Sequence, residues 1–379
     1  MTLGAFDQFV VKLHSRCNLA CDYCYIYELR DTGWRGRPQT MPAAVREQLI
    51  VRIAEHVSRH RLPVARVILH GGEPLLAGAD VIAGFARSVR CAVGEAGGRV
   101  QLVMQSNGLL VDEALLDVLL RHDIHVGVSL DGDREAQDRH RHRRRRPDAP
   151  ATARTSSWTG TRQALTLLEL PRYRTLFDGL LCTVDTANDP VRTYDALVAH
   201  RPPAIDFLLP QATWDHPAPG GGGTDAPYGD WLAAVFDRWR LDGRPVRVRL
   251  FDAIIALCLT GGASGGSESV GALPAAAVVV ESDGTIGWTD SLKAVADGAA
   301  DSHSDVFGHS FDAVLALPEA PEYGPQTLCD ACRQCPVVGI CGGGTRAHRH
   351  GRGRGFANPS VYCRDLFTLI GHIRARLGN

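Results

Sequence analysis

The stretch Phe9-Val10-Val11-Lys12-Leu13-His14-Ser15-Arg16-Cys17-Asn18-Leu19-Ala20-Cys21-Asp22-Tyr23-Cys24 runs from an apolar, β-prone segment straight into three cysteines spaced C-x3-C-x2-C. Thiolates bunched this tightly point to a metal, because one loop can turn several sulfurs onto a single centre. The number three is informative. Structural zinc and ordinary iron–sulfur sites take four protein ligands, so a set of three leaves a coordination position open. The competing readings are three buried cysteines in a tight turn, and a zinc site that borrows a distant histidine.

Outward from this stretch, segment 8–14 is the first of six continuous apolar runs. The others lie at about 64–70, 100–106, 125–131, 177–184 and 204–210, and all six read as buried parallel strands. Helical patterns separate them: Val45, Leu49, Ile50, Ile53, Ala54 and Val57 after Pro42, and Leu115, Leu116, Val118, Leu119 and Leu120 further on. Successive strand–helix units imply right-handed crossovers and a parallel sheet, either a partial (β/α)6 barrel or a doubly wound sheet. In both, function sits at the carboxyl ends of the strands, where the cysteine loop falls. Cys91, in a helix, and Cys182, in a strand, read as core residues.

With 45% hydrophobic and 22% charged residues, the 379-residue chain has the balance of a globular protein. A net charge of −1 gives no drive towards nucleic acid or an anionic membrane, and no apolar run is long enough to span one. The N-terminus lacks the pattern of a secretory signal, and the eleven cysteines are clustered, so metal binding in a reducing cytoplasm is expected rather than a disulfide framework.

Three strand ends carry polar motifs. The second closes with His70-Gly71-Gly72-Glu73-Pro74, whose glycines permit close backbone approach to a ligand and whose acid is a fixed acceptor. The third closes with Ser106-Asn107-Gly108 and the fourth with Ser129-Leu130-Asp131-Gly132. Residues 139–146 then hold six arginines and two histidines, read as a solvated loop or a dock for an acidic peptide.

From about residue 211 the texture changes to a glycine-rich insertion, then a helix whose Tyr228, Trp231, Leu232, Val235, Phe236 and Trp239 read as packing. A second loose stretch, 261–269, suggests three regions: 1–210, 211–270 and 271–379. The last opens with two β-rich segments around Asp283-Gly284, a hairpin signal. It continues with Cys329, Cys332, Cys335, Cys341 and Cys363, whose spacing suits zinc or iron–sulfur alike.

The C-x3-C-x2-C motif with Tyr23 before its third cysteine resembles the signature of radical S-adenosylmethionine (radical SAM) enzymes. That resemblance implies a partial barrel in which Cys17, Cys21 and Cys24 hold a 4Fe–4S cluster and SAM chelates the fourth iron. It also implies SAM contacts at Tyr23, Gly71, Gly72, Glu73, Ser106, Ser129, Arg141 and Leu181, with Glu73 towards the amino group, Ser129 and Arg141 towards the ribose and carboxylate, and Leu181 near the adenine. The C-terminal cysteines resemble those of SPASM domains, which carry auxiliary 4Fe–4S clusters. Cys332, Cys335, Cys341 and Cys363 match the outer cluster, and Cys329 is a possible extra ligand. Thr289 and Thr345 stand where the inner cluster would need cysteines, so one auxiliary cluster is expected.

Four further segments are similar to the FxsB-type maturases: 34–38, 205–210, 290–293 and 341–363. That group implies a precursor-peptide substrate, an external flavodoxin- or ferredoxin-like electron donor, and a three-residue cyclophane product joining an aromatic ring carbon to a Cβ. It also implies a catalytic Asp290, where sulfatase-maturing relatives place an aspartate. Thioether synthesis and formylglycine formation are the enzymatic alternatives, and a zinc-stabilised peptide-binding module is the non-enzymatic one. The first strand begins at residue 8 and the chain ends at Asn379, so neither an upstream leader-recognition domain nor a further C-terminal domain is expected.

Overall fold

A computed structural model describes residues 5–144, 155–220, 222–262, 266–271, 276–318, 320 and 324–378. Six parallel strands, β1 (Gln8–His14), β2 (Val64–Gly71), β3 (Arg99–Ser106), β4 (Ile124–Ser129), β5 (Phe177–Thr183) and β6 (Ala204–Leu208), fall where the apolar runs lie. Each pairs with its neighbour in sequence, and a two-residue strand, Arg247–Val248, follows β6. A doubly wound sheet reverses its strand order, whereas these six strands keep theirs from one side to the other. The singly wound partial barrel is therefore the architecture, with the helices outside.

Those helices follow from the apolar spacing. Helix α1 (Ala43–His60) buries Val45, Leu49, Ile50, Ile53 and Val57 after Pro42, whose missing N–H costs nothing at a helix start. Helix α2 (Ala79–Glu95) turns Cys91 outward, correcting its reading as core: the buried stripe is Ile82, Ala83, Phe85, Ala86, Val89 and Val93, and position 91 falls off it. Cys182 is buried as read. Helix α3 (Pro227–Leu241) buries the aromatics assigned to packing.

The C-terminal hairpin does not form a separate sheet. Strand β7 (Ala277–Val280) pairs in parallel with β1, from Gln8 opposite Ala277 to Val11 opposite Val280. Strands β8 (Thr285–Gly287) and β9 (Asp301–Asp305) continue antiparallel, completing ten strands. Side chains alternate along β1. Phe9 contacts His56 of α1 and Phe311, while Lys12, on the opposite face, reaches Asp290 just beyond β8. Among the described residues no helix is long and apolar enough to cross a membrane.

Candidate active site

At the carboxyl ends of the strands lies a cavity of about 300 Å³. Cys17, Cys21, Cys24, Tyr23, Gly71, Gly72, Ser106, Ser129, Arg141 and Leu181 all line it, so the fold brings together residues spread over 165 positions of the chain. Opposite them stand Gln211, Glu268, Ser269, Thr345 and His348, from the second half of the chain.

The cysteine loop is held from several sides. Gly72 N–H donates to His14 O (3.0 Å) and Glu73 N–H to Arg16 O (3.0 Å). A Cβ on Gly72 would stand 2.1 Å from the Tyr27 hydroxyl and 2.3 Å from Arg16 O, so the glycine is required for the turn to meet the loop. The Arg16 guanidinium donates to the carbonyls of Trp34 (2.6 Å) and Arg35 (3.2 Å), which ties in segment 34–38. Asn107 Nδ2 donates to Asn18 Oδ1 at 2.7 Å and approaches Cys17 Sγ at 3.8 Å. Burial pushes the Cys17 thiol up to about 12 and Cys21 up to about 11, which a positively charged metal centre would reverse. A tetrahedral zinc ion would draw its ligand sulfurs to about 3.8 Å from one another. Among the described residues, neither cysteine set has three ligating atoms within 4.8 Å of one another.

Glu73 lies behind the wall rather than on it. It is 1% exposed, and its carboxylate accepts from Ser106 Oγ (2.9 Å), Asn107 N (2.9 Å) and Leu75 N (3.2 Å), which ties the ends of β2 and β3 together. Burial raises its pKa to about 7, against those three donors. Ser129 Oγ accepts from Gln105 Nε2 at 2.9 Å.

The arginine run is not a uniform solvated loop. Arg141–Arg143 forms a short strand antiparallel to Leu19–Cys21, within the cysteine loop itself. Arg141 is the buried arginine among those described in the run. Its Nη1 donates to the Tyr23 hydroxyl (2.7 Å), which in turn donates to Asp131. Its Nε is buried and meets no hydrogen-bond partner, so a cavity-lining guanidinium retains an open donor suited to a carboxylate. Arg144 donates to Cys17 O at 2.8 Å and covers the Tyr27 ring. Arg145 and Arg146 lie outside the described residues.

Asp290 is not on the cavity wall. It sits in a buried quartet with Lys12, Glu281 and Lys293: Lys12 Nζ reaches Asp290 at 2.6 Å and Glu281 at 3.1 Å, and Lys293 Nζ reaches Asp290 at 3.2 Å and also bonds Glu281. Burial alone would raise the Asp290 pKa; the two ammonium groups outweigh it and hold the carboxyl well below the ordinary range. His70, which does line the cavity, lies close enough to feel the Asp290 charge.

The five C-terminal cysteines converge. Cys332 contacts Cys329 and feels Cys363 and Cys341, and burial first, then these neighbours, push its thiol up to about 12. Cys341 rises to about 11 through burial, although the N–H groups of Gly343 and Gly344 donate to its sulfur. Gly342, Gly343 and Gly344 all have positive φ (64°, 88° and 68°), which wraps the backbone around that sulfur. The inner-cluster positions look different. Thr289 Oγ1 and Ser291 Oγ donate to Glu268 Oε1 (2.6 and 2.7 Å), and Thr345 Oγ1 donates to Glu268 O at 3.4 Å. Sequence reading marked Thr289 and Thr345 by the cysteines they replace, Asn107 and Asp131 only as members of strand-end motifs, and His348 only within segment 341–363. It gave no role to Glu268 or Lys12, common polar residues with no local spacing to mark them.

A three-cysteine loop and an anion-ready cavity stand at the open end of a singly wound β/α sheet. Residues 11–155, which hold the cysteine loop, match the family model described as the radical SAM superfamily, and a 4Fe–4S cluster and SAM are the cofactors that this match implies. The chain is 25% identical over 376 residues to a cysteine-type anaerobic sulfatase-maturating enzyme of Clostridium perfringens, covering 96% of this chain and 95% of that one. It is 26% identical over 341 residues to the serine-type enzyme of Klebsiella aerogenes, covering 89% and 78%. The fold resembles native anSMEcpe solved with bound AdoMet and Cp18Cys peptide (TM-score 0.79, 21% identity, 98% of both chains). It also resembles Streptococcus suis SuiB bound to precursor peptide SuiA (TM-score 0.59, 13% identity, 95% and 76%).

Proposed function

We propose that the chain is a maturase of a ribosomally made precursor peptide and joins an aromatic ring carbon to the Cβ of a residue two positions on, forming a three-residue cyclophane. The observation carrying the finer reading is the Thr289–Ser291–Thr345–Glu268 knot, which puts hydroxyls and a carboxylate where the SPASM resemblance would place inner-cluster cysteines. Glu268 and Thr345 of this knot line the same cavity as the cysteine loop. The knot leaves one auxiliary site, Cys332, Cys335, Cys341 and Cys363, with Cys329 alongside.

When bound, the cluster and SAM supply a 5′-deoxyadenosyl radical that takes one hydrogen atom from the substrate Cβ. In the same reading, Arg141 Nε holds the SAM carboxylate and Tyr23 and Asp131 fix the guanidinium. Closing the ring bond leaves one proton and one electron to remove. Asp290 is the proton acceptor in this reading, approached from the cavity at His70, which feels its charge; once the electron has left, the ring is an arenium cation and a strong acid, so a low-pKa carboxylate suffices. Cys332, Cys335, Cys341 and Cys363 would hold an auxiliary cluster able to accept the electron, and Cys17, Cys21 and Cys24 would hold the cluster that a flavodoxin- or ferredoxin-like donor would reduce.

The near-full-length match to sulfatase-maturating enzymes favours formylglycine formation as the second reading. A cysteine-free precursor, incubated anaerobically with enzyme, SAM and reductant and mapped by fragmentation and NMR, separates the two. A two-hydrogen loss that disappears when one Phe, Trp, Tyr or His becomes Ala is expected. A modification that requires Cys or Ser, or persists without any aromatic residue, overturns the cyclophane reading.

A further inference from the structure

Near the C-terminal end of α1, far from the chemistry, the buried His56 and the more exposed His60 stand one helical turn apart. Asp312, at the start of a short helix (Phe311–Leu315) beyond β9, meets them. His56 Nδ1 lies 3.3 Å from Asp312 Oδ1, and His60 Nε2 lies 2.5 Å from the same oxygen. One ligating atom from each residue falls within 4.8 Å of the others, a geometry that among the described residues this group alone attains.

His56 is the telling member. It is 1% exposed and ringed by Phe6, Phe9 and Phe311 at 5.9–6.0 Å. Neither of its ring nitrogens makes a well-aligned hydrogen bond, although Nδ1 stands 3.3 Å from Asp312 Oδ1. An imidazole walled in by phenylalanines has little but Asp312 and His60 to meet its nitrogens, and a metal ion shared with them would do so. With ligand bonds of about 2.0–2.2 Å, a tetrahedral zinc ion separates its ligand atoms by roughly 3.3–3.5 Å. The His56–Asp312 distance already has that value, and His60, the partly exposed last residue of α1, needs to withdraw by only about 1 Å. Arg59 Nε, 3.5 Å from Asp312 Oδ2, neutralises the other carboxylate oxygen and leaves Oδ1 for an ion.

We propose that His56, His60 and Asp312 form a three-ligand site for a divalent transition metal, zinc by its donor set, with water in the fourth position. In a β/α unit the helix runs back along its strand, so the end of α1 lies at the opposite end of the sheet from the cysteine loop. The site takes no part in the radical chemistry. It fastens α1 to the segment after β9, alongside the bond from Arg52 Nε to Val306 O (2.8 Å).

The test uses the full chain with its iron–sulfur centres reconstituted, so that zinc does not fill the cysteine sites. After equilibration with zinc and removal of the excess, elemental analysis is expected to find one zinc per chain besides the iron. His60→Ala and Asp312→Asn should each lose that zinc while iron content and 5′-deoxyadenosine formation are unchanged. Added zinc should raise the melting temperature of the parent protein and not of the variants, and anomalous scattering at the zinc edge should place the ion between the three side chains. No zinc in the parent, or equal zinc in parent and His60→Ala, overturns the proposal. His60 is partly exposed, and His60→Gln provides a second, size-conserving variant should His60→Ala fold poorly.

Discussion

Asp290→Asn tests whether the buried quartet serves chemistry or only architecture. Lys12, Lys293, Glu281 and Asp290 sum to zero charge, with side-chain exposures of 3%, 3%, 6% and 11%. Neutralising one member leaves a net positive charge in the interior. Breaking a buried pair in this way costs about 3–5 kcal/mol. The Asn carbonyl can still accept from Lys12, which puts the loss near the lower end, about 3 kcal/mol, a large fraction of a typical stability of about 5–15 kcal/mol.

Lost activity in the single variant would therefore be ambiguous, and the double variant Lys12→Met/Asp290→Asn resolves it. Lys293 and Glu281 then remain as a neutral pair, so most of the lost stability should return. Urea unfolding of anaerobic holoprotein measures the stability, and paired assays of 5′-deoxyadenosine and crosslinked peptide measure the chemistry. The double variant should cleave SAM yet form little crosslink. Recovery of crosslinking along with stability would refute the assignment of Asp290 as proton acceptor. A single variant within about 0.5 kcal/mol of the parent would refute the charge argument itself. The folded pKa of Asp290 is depressed, so its stabilisation is fully present above the unfolded value of about 3.9 and is lost as pH falls through the folded value. It therefore contributes no pH dependence to stability between about pH 5 and 8.

Changing Cys17, Cys21 or Cys24 to Ala should abolish 5′-deoxyadenosine formation and lower iron from about eight to about four per chain, read by iron and sulfide analysis. Gly72→Ala should have a similar effect on iron, because its Cβ would meet Arg16 O at 2.3 Å and push the cysteine loop out of place. Arg141→Lys keeps the charge but loses the planar fork; a charge-assisted bond worth about 1.5–3 kcal/mol predicts SAM binding weaker by roughly tenfold to a hundredfold in equilibrium titration.

All six parallel strands were legible because each carries its own run of buried apolar residues, interrupted only at positions such as Arg99 and Gln101 of β3. The cysteine loop was legible because its ligands are local. The pairing of β1 with β7 was not, since the partners lie 269 positions apart at Gln8 and Ala277 and a parallel register leaves no local trace. Charge density suggested that 139–146 faces solvent, yet Arg141 is drawn inward by Tyr23 and Asp131, neither of which marks itself as its partner. Glu73 was read as a ligand acceptor on its motif alone, while the structure gives its carboxylate three internal donors. His56 was not singled out, since a lone histidine between Ile53 and Val57 carries no local mark.

The β1–β7 junction also sets a timetable for synthesis. A ribosome releases the chain from its first residue onward, and domains fold as they emerge. β1 can find β2 within a few dozen residues, but its other flank stays unpaired until Ala277–Val280 have left the tunnel. During that interval the nascent chain carries a bare parallel edge next to its metal-binding loop, and such edges recruit other strands. At roughly 5–20 residues per second the exposure lasts on the order of 10–50 seconds. Insertion of the iron–sulfur cluster at Cys17, Cys21 and Cys24 therefore occurs either on a partly folded nascent chain or only after the C-terminal hairpin has sealed the sheet, and a ribosome stalled before residue 277 offers the means to tell which.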